Sequence, residues 1–362
     1  MASKLFTVRN SRGVQSAYER FIAGEGVPVL GGFGVHALRE ISMAAWPRIG
    51  CEGAYLQFFG SDGVVGVYAG RIAPGGATSP ERHLYEKIFY FLEGEGVAEV
   101  QQRDSVPQSI RWQAGTLFSP PMNTLHRLMN YSDQPALFLA LTTAPLALDH
   151  YRSERFVFHS DFVFDDRYDG QENYSTGGFG RINSDQRQCR LVGEVHDNGS
   201  AESAGKPRRI KITRFEIANN SLVAQHVEWP AGRYRRAHCR SGGVALLILR
   251  SSGYSLMWPS RFGTQPYTNG LADQVVRVDW RPGSVFSPPA NWFHQHFNTG
   301  KEAAQTLAFY CGSTKFPMSR QALGSGIVDT ATARQPSTLF GDDDPSIRSM
   351  YEAELAKQAS LP

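Results

Sequence analysis

Four cysteines in 362 residues, at positions 51, 189, 239 and 311, form no Cys-x-x-Cys pair. That spacing argues against a disulfide framework and fits reduced thiols, so a cytoplasmic protein is expected. No stretch approaches the roughly 20 apolar residues a membrane span needs, and the opening Met1-Ala-Ser-Lys-Leu-Phe6 lacks the apolar core of a signal peptide. No membrane partner is expected. Neither sign of charge is in marked excess: 37 Lys and Arg against 34 Asp and Glu give a formal +3, too mild to imply nucleic acid. The basic run at 206–211 reads as a solvated loop edge. No Walker loop, Gly-x-Ser-x-Gly elbow or Rossmann glycine run occurs, which removes the nucleotide-binding and triad-hydrolase classes.

What the chain does have is a repeat. Gly115-Thr-Leu-Phe-Ser-Pro-Pro-Met-Asn-Thr-Leu-His126-Arg-Leu-Met-Asn130 returns 168 residues later as Gly283-Ser-Val-Phe-Ser-Pro-Pro-Ala-Asn-Trp-Phe-His294-Gln-His-Phe-Asn298, identical at half of the sixteen positions. Matching letters at fixed spacing imply one module present twice, with His126 and His294 at equivalent strand positions. The 36 glycines and 20 prolines fall in turn-like clusters, which favours many short strands and an all-β architecture. Ile88-Phe-Tyr-Phe-Leu92 and Val244-Ala-Leu-Leu-Ile-Leu249 each read as a buried strand running into a glycine turn. The softest linker is expected between about 151 and 221, around the Gly-rich Thr176–Gly180 and the polar Asp197–Gly205 stretches. Near the end, Asp344 and Pro345 supply an N-cap and a first-turn proline for a helix carrying Ile347, Met350, Tyr351 and Leu355 on one face.

Upstream of the first copy stands Pro74-Gly-Gly-Ala-Thr-Ser-Pro-Glu81-Arg-His83-Leu-Tyr-Glu86-Lys87-Ile-Phe-Tyr-Phe-Leu-Glu-Gly-Glu-Gly96. It resembles the first motif of the cupin superfamily, a glycine followed by His-x-His, a glutamate and Tyr-x-Leu-x-Gly. The repeated string resembles the second cupin motif, and Pro230 to Gly253 a weaker copy of the first. The resemblance covers about 60–145 and 222–315 and implies a bicupin of two jelly-roll β-barrels. On this reading the chain divides into an N-terminal segment (1–59), a first barrel (60–150), an inter-barrel region and linker (151–221), a second barrel (222–320) and a C-terminal tail with a short helix (321–362).

In cupins two histidines and a glutamate of the first motif, with the histidine of the second, converge on one divalent cation. Here the resemblance is broken in both halves. In the first module Glu81 and His83 replace His-x-His, and Lys87, beside Glu86, stands at the glutamate position. Glu81, His83 and His126 still offer two imidazoles and a carboxylate, a set suited to ferrous iron. In the second module the same spacing places His238 first, Arg240 at the second histidine and Val244 at the glutamate. His294 is retained, with His296 as its i+2 neighbour, so His238, His294 and His296 offer a three-histidine set, and this second-barrel set is the one expected to hold the metal. Fixed cations at Lys87 and Arg240 count against metal in either barrel. His36, His150, His159, His196 and His226 lie outside both motifs. Trp258, Phe89 and Phe91 read as core, while Trp292 is placed near a barrel mouth where it can stack on a ring.

Two function classes follow. One is a mononuclear non-haem Fe(II) oxygenase or dioxygenase that takes dioxygen and a small organic, aromatic substrate, resembling gentisate-type ring-cleaving bicupins at motif level. Its second-barrel residues are Arg240, Trp292 and His296 in catalytic positions, with Arg235, Arg236 and Arg240 as carboxylate or phenolate clamps. The other is a metal-free or zinc-bearing cupin that binds, isomerises or cleaves a small anion through Lys87, Tyr85 or Arg240. A homo-oligomeric state is open in both.

Overall fold

The computed structural model describes residues 14–61, 63–170, 180–183, 186–189, 192–194, 210–239, 242–313, 316 and 344–359. Arg240, the stretch 197–205, residues 206–209 of the basic run and most of the Gly-rich patch lie outside the described residues.

The strands fall into two similar sets, as the repeat predicts. In the first half a mixed sheet runs, strand by strand, Val29–Gly32, Cys51–Phe58, Gly66–Ile72, Ala136–Thr142, Lys87–Glu93, Thr116–Phe118 and Val192–Glu194, and Leu125–Asn130, Glu95–Gln101 and Gln108–Gln113 form the facing sheet. In the second half the order is Gly180–Asn183, Gln186–Cys189, Lys211–Ile217, Leu222–Trp229, Ala304–Cys311, Val244–Arg250, Val285–Phe286 and Gly34–Val35, faced by His238–Cys239, Trp292–Asn298, Gly253–Pro259 and Val276–Trp280. Most positions in the two orders correspond. The last slot of each large sheet is filled from the other half of the chain: Val192–Glu194 pairs with Thr116–Phe118, and Gly34–Val35 pairs with Val285–Phe286. Strands from outside the 60–150 and 222–320 spans therefore belong to both sheets. Each half is a jelly-roll-like pair of sheets.

The shared letters of the repeat have structural work to do. Gly115 and Gly283 sit at φ 91° and 87°, and Asn123 and Asn291 both sit at 59°, left-handed positions that favour Gly and Asn. The Ser119 hydroxyl donates to the Lys87 carbonyl at 2.6 Å. Its counterpart Ser287 donates to the Val244 carbonyl. Asn130 Nδ2 donates to the Ala73 and Gln134 carbonyls at 3.1 and 2.8 Å, and Asn298 Nδ2 to those of Pro230 and Glu302 at 3.2 and 2.8 Å. Gly96 and Gly253 are required for one reason: a Cβ would run into the carbonyl of Met129 or Phe297 on the neighbouring strand. Inside the first half Phe89 stacks on Phe118, and Phe91 lies on Trp112 with centroids 4.1 Å apart.

The described residues also contain four α-helices. α1 (Ala17–Gly24) starts at a capping box formed by Ser16 and Glu19, and it packs near α2 (Ala144–Tyr151) and α3 (Glu154–His159). α4 (Pro345–Ala359) buries Ile347 and Tyr351 against the second barrel, as the sequence predicts. Asp344 caps it, accepting from Ser346 N at 3.0 Å, and also accepts from the Tyr267 and Thr268 backbone nitrogens. Cys51, Cys239 and Cys311 are free thiols.

Candidate functional site

Glu81 forms an antiparallel bridge with His126, and His238 forms one with His294. The two pairs are thus equivalent, and His126 and His294 occupy matching strand positions. Alternation along a strand turns His126, Leu128 and Asn130 to one face, as it does Trp292, His294, His296 and Asn298.

The first centre is buried. His83 and His126 are 2% exposed, and the side chains of Glu81 and Lys87 are 12% and 0% exposed. Among the described residues, one group of three His, Cys, Asp or Glu side chains brings its ligand atoms within 4.8 Å of one another: Glu81, His83 and His126. His83 Nδ1 lies 2.9 Å from the Tyr85 carbonyl and His126 Nδ1 lies 3.1 Å from that of Thr124. A carbonyl only accepts, so each ring carries its proton on Nδ1 and presents a lone pair at Nε2. Both Nε2 atoms are buried without a hydrogen-bond partner, although His126 Nε2 stands 3.6 Å from Glu81 Oε1. Two buried lone pairs aimed at a carboxylate fit a bound cation, which would satisfy all three.

Lys87 reaches the same carboxylate, its Nζ 2.5 Å from Glu81 Oε1. Burial pushes the Lys87 ammonium down to about 8 against the opposing pull of Glu81. Burial alone would raise the Glu81 carboxyl, but the Lys87 ammonium outweighs it and holds Glu81 well below the usual carboxylate range. Burial, followed by the Lys87 charge, lowers His83 well below its ordinary value and keeps it neutral. The His83 ring lies flat against Tyr85 with centroids 3.7 Å apart. Glu86, beside Lys87 in sequence, faces elsewhere. Its carboxylate accepts from Ser221 N, Ser221 Oγ, Leu222 N and Arg167 Nη2, tying the first half to the start of a second-half strand.

The second barrel brings His238, His294 and His296 together, with ring centroids 4.1 Å (238 to 294), 5.4 Å (294 to 296) and 6.2 Å (238 to 296) apart. They line a cavity of about 30 Å³ with Arg235, Gln225 and Tyr310, which has room for about two waters. The indole of Trp280 donates to Ser255 Oγ at 3.1 Å, and that hydroxyl lies 2.7 Å from His296 Nδ1. A hydroxyl oxygen carries two lone pairs besides its proton, so Ser255 can accept from the indole and still take either role toward His296 Nδ1. His238 Nδ1 and His294 Nδ1 face the Arg236 and Trp292 carbonyls at 3.0 and 3.4 Å. Trp292 shares the inward face, its ring 5.7 Å from Phe33 of the N-terminal segment. Arg240 lies outside the described residues.

Residues 70–142 match the cupin domain family. The fold is that of a bicupin. The second half of the chain repeats most of the strand order of the first. None of the curated proteins searched matches the chain. Among solved structures, an arginine-to-alanine variant of Bacillus subtilis oxalate decarboxylase is similar at TM-score 0.50 and 12% identity over 78% of each chain, and a serine-to-alanine variant at 0.49 and 11% over 78% of each. The likeness is one of fold. No helix among the described residues is long and apolar enough to cross a membrane.

The motifs point to Glu81, His83, Lys87 and His126. They do not point to Arg48, whose Nη1 lies 3.4 Å from Glu81 Oε2, or to Tyr68, whose ring lies 5.7 Å from Lys87 Nζ. Both belong to stretches outside the motif spacing, and no sequence signal marks them.

Proposed function

We propose that this bicupin is a metal-dependent enzyme whose centre is Glu81, His83 and His126 in the first barrel, rather than the three histidines of the second. The observation that carries this reading is the pair of buried, partnerless Nε2 atoms beside a carboxylate kept ionised. Two imidazoles and one carboxylate suit ferrous iron. With dioxygen and a small organic, aromatic acid as partners, the reading is a mononuclear non-haem iron oxygenase. Bound there, the metal supplies Lewis acidity and open coordination positions. The chain's own part is to fix both imidazole tautomers through the Tyr85 and Thr124 carbonyls, to hold the Glu81 carboxylate in place through Lys87, and to exclude bulk water.

The contact between Lys87 and Glu81 favours a second reading, a metal-free cupin in which this pair performs acid–base chemistry on a small anion. Metal analysis of protein purified without chelator or histidine tag separates the two. The oxygenase reading expects about one iron per chain, lost by more than about tenfold in His126→Ala and retained in His294→Ala. Full metal in His126→Ala with loss in His294→Ala moves the centre to the second barrel. No metal in the wild-type chain leaves the acid–base reading.

A further inference from the structure

Arg48 links the first centre to solvent. Exposure of the charged side chains rises from 0% at Lys87 through 12% at Glu81 to 28% at Arg48. Arg48 is held rigidly. Its Nε lies 2.5 Å from Glu25 Oε2, and its guanidinium carbon sits 5.3 Å from the Phe21 ring, 5.4 Å from Trp46 and 5.3 Å from Phe158. The outer fork is only loosely engaged, with Nη1 3.4 Å from Glu81 Oε2 and Nη2 3.4 Å from the Tyr55 hydroxyl. A guanidinium has four N–H bonds on its Nη atoms, so two have no partner among the described residues. A fork fixed at its root and underused at its tip is preorganised for a planar anion.

Charge balance points the same way. Glu25 and Glu81 offset Arg48 and Lys87 in this contact network. A divalent cation added at Glu81 would leave a buried excess of positive charge, costly unless an anionic ligand accompanies it.

We propose that Arg48 is the substrate-recognition residue of the first barrel and that the substrate class is a small carboxylic acid, whose carboxylate pairs with the Arg48 fork while the rest of the molecule reaches the Glu81 centre. The inference takes its location from the proposed centre and its chemistry from Arg48. Phe21 of α1 and Phe158 of α3 stack with centroids 5.1 Å apart beside the guanidinium and would give an aromatic or aliphatic acid an apolar surface.

The test is a calorimetric titration of the protein as purified with benzoate and its uncharged isostere benzamide, with metal content read on the same samples. Wild type is expected to prefer benzoate by about tenfold to a hundredfold, the range a charge-assisted bidentate contact supplies. Arg48→Gln should abolish that preference and leave benzamide affinity and metal content unchanged. Arg48→Lys, which keeps the charge but not the fork, should retain part of it. Absence of a benzoate preference in wild type, its persistence in Arg48→Gln, or an equal loss of both ligands would overturn the proposal. Should Arg48→Gln not fold, the lysine variant decides: weaker benzoate with unchanged benzamide supports the assignment, and unchanged benzoate overturns it. The comparison reads Arg48 whether or not metal is present, so an empty centre with intact benzoate preference sinks only the metal reading.

Discussion

In the unfolded chain the His83 imidazole takes up a proton near pH 6.5, whereas in the fold burial and the Lys87 charge keep it neutral far below that. The unfolded state therefore binds more protons, so stability must fall as pH drops below about 6.5. Glu81 has the same sign: its folded value is depressed, so its contribution is present above the unfolded carboxyl range and is lost as pH falls through the folded one. Urea midpoints of chelator-treated protein between about pH 7 and 5 should decline in wild type and decline less steeply in His83→Gln. Parallel slopes would show that His83 does not carry the effect. Of this site, sequence spacing identified the strand positions, since the bridge between Glu81 and His126 is the counterpart of that between His238 and His294. It did not disclose the tautomers of His83 and His126, because Tyr85 O and Thr124 O act through contacts no motif encodes. Lys87 was legible only as a missing ligand, and its ion pair with Glu81 depends on how the two side chains meet across the pocket.

At the level of elements, two carboxylates hold segments that are distant in sequence. Asp344 is 1% exposed and serves both the start of α4 and the turn at Tyr267 and Thr268. Asp344→Ala should cost about 2 kcal/mol, the upper range for a lost cap, and should open α4 to limited proteolysis before the rest of the chain. Unchanged protection of α4 would deny the cap that role. Glu86 is the stronger tie, because its removal leaves Ser221 N and Leu222 N buried without acceptors and Arg167 without its anion. Glu86→Ala should destabilise by roughly 3–5 kcal/mol, measured by urea unfolding, and a loss below about 1 kcal/mol would place it among ordinary surface pairs. The capped helix was readable because Asp-Pro before an apolar stripe is a local signal. The Glu86 clamp spans 135 positions to Ser221, and no local pattern reports a contact of that range.

For the molecule as a whole, the reciprocal strands decide how it unfolds. Gly34–Val35 completes a second-half sheet and Val192–Glu194 a first-half sheet, while Leu38 N donates to the Gly283 carbonyl at 2.9 Å and Gly243 N to that of Gly60 at 2.8 Å. The two barrels should therefore melt in one calorimetric transition. A fragment beginning near residue 210 should be unstable alone and be rescued by the complementary fragment. Two separate transitions, or a second-half fragment with native stability, would contradict this. The duplication was visible in sixteen letters, but the exchange was not, because strands of two and three residues carry too little pattern to be told from loop.

That exchange also constrains the ancestry of the gene. Each half borrows an edge strand from the other, and a half inherited alone would expose an unpaired edge open to association with other chains. Once the exchange was established, deletion of either copy would leave such an edge on the other. A copy that gave up its original chemistry would still be retained as the partner that completes its neighbour.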